Sequence, residues 1–93
     1  MAVTIKVPTP LRKFTAGAEA VTAAGATVSA LVEDLEGRFP GIRERICDEQ
    51  GHVRRFVNLY LNGDDIRFLQ QLDTRVKDGD ELSIVPAIAG GSR

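Results

Sequence analysis

The sequence predicts a two-layer α+β domain, a mixed sheet covered on one face by one main helix. Three observations predict it. Apolar and polar residues alternate near both ends of the chain, as half-buried strands require. Only the stretch from Thr27 to Phe39 places apolar residues at spacings of three and four over several turns. Ninety-three residues suffice for a single small domain with a modest core.

Val3, Ile5 and Val7 alternate with Thr4 and Lys6, so the chain opens with a strand that Pro8 and Pro10 stop. Residues 8–17 then form a loop. Glu19-Ala20-Val21-Thr22 returns as a second strand. Thr27 is placed to cap a helix, because its hydroxyl can accept from a free amide of the first turn. Val28, Leu31, Val32, Leu35 and Phe39 make one apolar stripe, while Glu33, Asp34, Glu36 and Arg38 face water. Gly37, Pro40 and Gly41 end that helix. A short helical turn follows at 42–46, and residues 48–54 read as an exposed loop.

Phe56 to Leu61 is a strand, and Asn62-Gly63 is a tight-turn signal. Ile66 begins a short edge strand, and Phe68, Leu69 and Leu72 suggest a single helical turn. Asp78-Gly79 turns the chain into a last strand from Leu82 to Ala87. The order β-β-α-β-β with one covering helix is the β-grasp, or ubiquitin-like, arrangement. A two-layer α+β fold of other topology is the alternative. Residues 87–93 are expected to be a flexible tail.

Composition excludes several classes of function. Twelve Lys and Arg stand against 13 Asp and Glu, which gives no basic footprint for nucleic acid or an anionic membrane. No apolar run approaches the ~20 residues that cross a bilayer. The N-terminus lacks the apolar block of a signal peptide. Cys47 is the only cysteine, so no internal disulfide can form, and the cytosol is the expected address.

The chain ends Asp78-Gly79-Asp80-Glu81-Leu82-Ser83-Ile84-Val85-Pro86-Ala87-Ile88-Ala89-Gly90-Gly91-Ser92-Arg93. Glycine makes up roughly 7% of residues, so a pair at a given place arises by chance about 0.5% of the time. The joint pattern carries more: a turn, an apolar strand, a proline, and a small-residue tail into Gly-Gly. On a β-grasp order, Val76 to Gly91 resembles the ubiquitin-like sulfur-carrier family, which includes the thiamin-thiazole carrier and the small subunit of molybdopterin synthase. Arg55 to Asn62 and Asp65 to Phe68 are similar to the actinobacterial branch that serves cysteine biosynthesis.

The resemblance implies that the Gly91 carboxylate is adenylated and then converted to a thiocarboxylate. The reacting group is main-chain, so no catalytic side chain is needed. Glycine lacks a Cβ, which lets Gly90 and Gly91, preceded by Ala89, enter a narrow channel. Extended at ~3.3–3.6 Å per residue, 87–91 projects roughly 15 Å. Ser92 and Arg93 depart from the family pattern. While they remain, the Gly91 carbonyl is a peptide bond and cannot be adenylated. A zinc-dependent peptidase of the JAMM type is the expected remover; the competing reading makes the two residues foreign to the native chain. The resemblance further implies an E1-like adenylating and sulfurating enzyme and a sulfur-accepting, cysteine-synthase-like enzyme as partners. No Gly-rich phosphate loop is present, so ATP, like any zinc, is expected on partner enzymes. The alternatives are a sulfur carrier for thiamin thiazole or molybdopterin synthesis and, with the same tail, a ubiquitin-like modifier joined to lysines.

Other candidates are weaker. Phe56, Asn58 and Tyr60 alternate away from Val57, Leu59 and Leu61, which places Phe56 and Tyr60, with Val85, on an open partner-docking face. His52 has no second ligand at metal spacing. Cys47 has no catalytic neighbour in sequence and reads as an inert thiol. Asp78-Gly79-Asp80 lacks the remaining ligands of a calcium loop. Arg43, Arg45, Arg54 and Arg55 read as solvated surface.

Overall fold

The structure, a computed structural model, describes residues 2–86. Five strands and two helices follow in order: β1 (Ala2–Lys6), β2 (Ala20–Ala24), α1 (Val28–Arg38), α2 (Ile42–Ile46), β3 (Val57–Leu61), β4 (Asp64–Asp65) and β5 (Glu81–Pro86). The sheet runs β2-β1-β5-β3-β4. β1 and β5 are parallel neighbours at its centre, and every other pairing is antiparallel. This is the β-grasp, ubiquitin-like fold.

Alternation explains the sheet. Val3 and Ile5 of β1, Leu82 and Ile84 of β5, and Val57, Leu59 and Leu61 of β3 all point to one face and are buried. Val28, Leu31, Val32 and Leu35 of α1 close over them, and Ile42 and Ile46 of α2 extend the core. α1 starts where its cap predicts, with the Ala30 amide donating to Thr27 Oγ1 at 3.2 Å. Its far end differs from expectation. Gly37 lies inside the helix, which runs to Arg38. The stop is set by Phe39-Pro40, since a residue before proline is driven out of the helical region, and Phe39 sits at φ −129°, ψ 75°.

Other boundaries also moved. The expected loop after β1 contains a 3₁₀ helix, Thr9–Thr15, that starts with Pro10 in its first turn and buries Leu11. Phe14 packs on the core edge from this segment. β2 sits later than expected because its register with β1 pairs Val3 with Ala23, whose small side chain is buried. The expected edge strand reduces to Asp64–Asp65, and Ile66 instead opens a 3₁₀ turn, Ile66–Phe68, with its side chain buried. A second 3₁₀ turn, Gln71–Asp73, follows in place of one helical turn. β5 begins at Glu81, one residue early, and Ala87 lies outside the described residues.

Candidate functional site at the root of the tail

The site begins with what fixes β5, the last described strand. Asn62 (φ +52°) and Gly63 (φ +91°) both take the left-handed region that a two-residue hairpin turn demands. In that turn Asn62 reaches across to the Asp78–Asp80 turn. Its Nδ2 donates to Asp80 Oδ1 at 3.1 Å, and its Oδ1 accepts from the Glu81 amide at 3.0 Å. Asp80 Oδ2 also accepts from the Lys77 amide at 2.7 Å. The Asn62 donor, then the Lys77 amide, hold the Asp80 carboxyl below its ordinary range. On the other side, the Ala2 amide donates to Asp78 Oδ1 and the Gly79 amide to the Ala2 carbonyl, both at 2.9 Å. The turn thus ties the start of β5 to the start of β1 and the end of β3. Its carboxylates serve as hydrogen-bond acceptors, and no cluster of three or more metal-ligating side chains occurs among the described residues.

From this clasp, β5 runs between β1 and β3. It pairs Leu82 with Leu61, Ile84 with Leu59 and Pro86 with Val57. The open face carries the alternate residues. Lys6, Ser83, Tyr60 and Asp65 form one cross-strand row, and Val85 pairs with Asn58 in the next. Tyr60 and Val85 are therefore diagonal neighbours, Tyr60 half-buried and Val85 42% exposed. Phe56 does not belong to the strand. The Val57 amide donates to the Arg54 carbonyl at 3.0 Å, and this turn leaves Phe56 just ahead of β3 and 58% exposed. It stands beside Pro86, the last described residue, at the sheet end where the chain leaves.

Ala89, Gly90, Gly91, Ser92 and Arg93, the proposed working end and its cap, lie outside the described residues. The remaining candidates are placed. Cys47 is buried at the end of α2, and burial pushes its thiol up. His52 is exposed in a loop that Asp48 organises by accepting from the Gln50 and His52 amides at 2.9 and 3.0 Å. Those donors lower the Asp48 carboxyl, the His52 amide most. The loop is thus built by backbone hydrogen bonds. Sequence reasoning missed the Asn62–Asp80 clasp, for which the joint occurrence of Asn-Gly and Asp-Gly-Asp turns was the available signal. No helix among the described residues is long and apolar enough to cross a membrane.

Comparison with known proteins adds the lineage. The chain is 46% identical to the sulfur carrier protein CysO of Mycobacterium tuberculosis over 93 residues, covering 98% of this chain and 100% of that protein. It is 36% identical to the small archaeal modifier protein 3 of Haloferax volcanii over 66 residues, 71% of each chain. The crystal structure of the Amycolatopsis orientalis BexX/CysO complex contains a chain that superposes with a TM-score of 0.90 at 47% identity, covering 96% of this chain and 99% of that one. Residues 5–91 match the ThiS family, and with the β-grasp order, the clasped last strand and a match reaching Gly91, the chain belongs to that family.

Proposed function

We propose that this chain is a sulfur carrier protein whose C-terminal glycine carries the sulfur as a thiocarboxylate, most directly for cysteine biosynthesis. The observation that carries the reading is that the last described strand, β5, lies at the centre of the sheet and ends at Pro86, while the family match continues in sequence to Gly91. Its resemblance to a carrier of that name over the full chain supports the same reading.

In this reading a peptidase first hydrolyses the bond between Gly91 and Ser92. A partner enzyme then joins the Gly91 carboxylate to AMP from ATP, releasing pyrophosphate. Sulfide attacks the activated carbonyl carbon, AMP leaves, and a thiocarboxylate remains. Its sulfur adds to an aminoacrylate derived from O-phosphoserine on an accepting synthase, and the peptidase later frees the cysteine. The carrier contributes reach and shape, while ATP and zinc stay with its partners. The BexX/CysO complex supports the expectation that a carrier of this kind works while docked on another protein. Tyr60 and Val85 are the docking residues of the open face, and Phe56 adds an exposed ring at the sheet end beside Pro86.

Mass spectrometry of the chain from its native host tests the proposal. A fraction ending at Gly91 with sulfur in place of one carboxyl oxygen is expected. An intact Ser92-Arg93 end on every molecule refutes processing, and a Gly91 end that never acquires sulfur refutes the carrier role. The similarity to a small archaeal modifier favours a second reading, conjugation to lysines. It predicts higher-mass conjugates in cells that disappear when Gly90-Gly91 is deleted.

A further inference from the structure

We propose that the groove beside Pro86 docks an acidic segment of the partner that receives the tail, a segment carrying Asp or Glu next to an apolar residue. The inference rests on the carrier reading above and adds a second contact to it, on the opposite side of the sheet from Tyr60 and Val85. The groove has a volume of about 480 Å³ and is lined by Glu44, Arg45, Arg54, Phe56, Val57 and Pro86. Pro86 and Val57 pair across the ladder, and Val57 is buried toward the core, so the groove opens on the helix side. It touches the point where the described chain leaves the sheet.

Its charge selects the occupant. Arg45 and Arg54 oppose the single carboxylate of Glu44. Both arginines make a positioning contact with a group that is not a carboxylate, and Arg54 also lies in the field of Asp48. Arg54 Nε donates to the Glu44 carbonyl at 2.6 Å, and the Arg45 guanidinium lies 5.7 Å from the Phe14 ring centroid. Neither forms a salt bridge with a carboxylate among the described residues, whereas the neighbouring Arg43 is bridged to Glu33 at 2.9 Å. Two positioned cations around an exposed phenylalanine present the residue types that anchor protein interfaces, and the charge would steer an acidic surface onto them. A partner engaged here and at Tyr60 and Val85 holds the tail's root from both faces. That fixes the point from which the chain leaves the sheet and lowers the orientational cost of bringing Gly91 to a reacting centre.

The test is isothermal titration of the full chain into the host enzyme that adenylates it, at low and high salt. Arg45→Glu combined with Arg54→Glu is expected to weaken binding about tenfold or more and to flatten its salt dependence, while Arg45→Lys with Arg54→Lys stays within about threefold. Circular dichroism checks that each variant folds, and Arg45→Gln with Arg54→Gln serves where charge reversal perturbs folding. Equal binding by reversed and unaltered chains at both salts overturns the docking proposal and leaves the carrier reading standing. An unaltered chain that neither binds this enzyme nor bears sulfur at Gly91 overturns both. If replacing residues 87–93 by a Gly-Ser segment of equal length shifts the Arg45, Arg54 and Phe56 resonances of the free protein, the chain's own tail occupies the groove and the proposal falls.

Discussion

Replacing Gly25 by alanine places one methyl where there is no room. A Cβ at this position would lie 2.7 Å from Ala30 Cβ and 3.0 Å from both Ala30 C and Leu31 N. Carbon pairs prefer about 3.5–4.0 Å, so the overlap is close to 1 Å and two of the three neighbours are backbone. The first turn of α1 must move outward. That strains the Thr27 cap, worth about 1 kcal/mol, and unseats Val28 and Leu31, both fully buried. Overpacking of this kind costs about 1–3 kcal/mol, so Gly25→Ala should destabilise by about 2–4 kcal/mol in all. A domain of this length holds roughly 5–14 kcal/mol, and each kcal/mol is worth about 4–8 °C, so the melting temperature should fall by about 8–32 °C. Urea unfolding followed by far-UV circular dichroism reads the change as a lower midpoint at constant slope. Gly37→Ala is the matched control. Nothing lies within 4 Å of its added methyl, and the site is an exposed helical position, so it should stabilise by about 0.5–1 kcal/mol. Adding Ala30→Gly to Gly25→Ala removes the methyl–methyl overlap and leaves the backbone ones, which predicts a coupling of about 1 kcal/mol or more. A Gly25→Ala variant within about 0.5 kcal/mol of the unaltered chain would refute the steric argument.

Val85→Asp, on the open face, should reduce affinity for the proposed adenylating partner about tenfold while moving stability by less than about 1 kcal/mol, read by titration and urea unfolding together. Asn62→Ala removes the main cause of the lowered Asp80 carboxyl, so NMR titration should show Asp80 returning toward the ordinary aspartate range. The sign follows from linkage. A depressed carboxyl stabilises the fold above its unfolded pKa, and that stability is lost as pH falls through the folded value. The variant should therefore lose less stability on acidification than the unaltered chain does. Cys47, buried and pushed toward the protonated thiol, should react with an alkylating reagent only as fast as the fold opens, and a native rate matching that of unfolded protein would contradict its placement.

The parts of this fold legible in the sequence are those with a period. β1, β3, β5 and α1 announce themselves by alternation or by a three-four stripe, and Thr27 marks its helix because capping is a local bond. The rest depends on partners distant in sequence. Prolines at 8 and 10 end a strand but do not say that Leu11 will pack into a 3₁₀ helix. A two-residue strand such as β4 has no period to detect. Extending alternation backward puts Phe56 in β3, and only the turn from Arg54 to Val57 removes it. The Asn62–Asp80 bond spans 18 residues, and the Pro86 groove joins α2, a turn and two strands, so each exists only once the chain has folded. The Gly-Gly pair is visible at once, but its reading rests on the strand pattern that precedes it in the sequence.

The central place of β5 has a mechanical consequence. In the carrier role proposed above, a partner that holds the chain's end would pull on it. Force applied beyond Pro86 acts along β5, which is laced to β1 on one side and to β3 on the other. Such a load shears two ladders at once, whereas the same pull on an edge strand such as β4 would part its bonds one after another. The fold therefore yields last where its work would pull hardest.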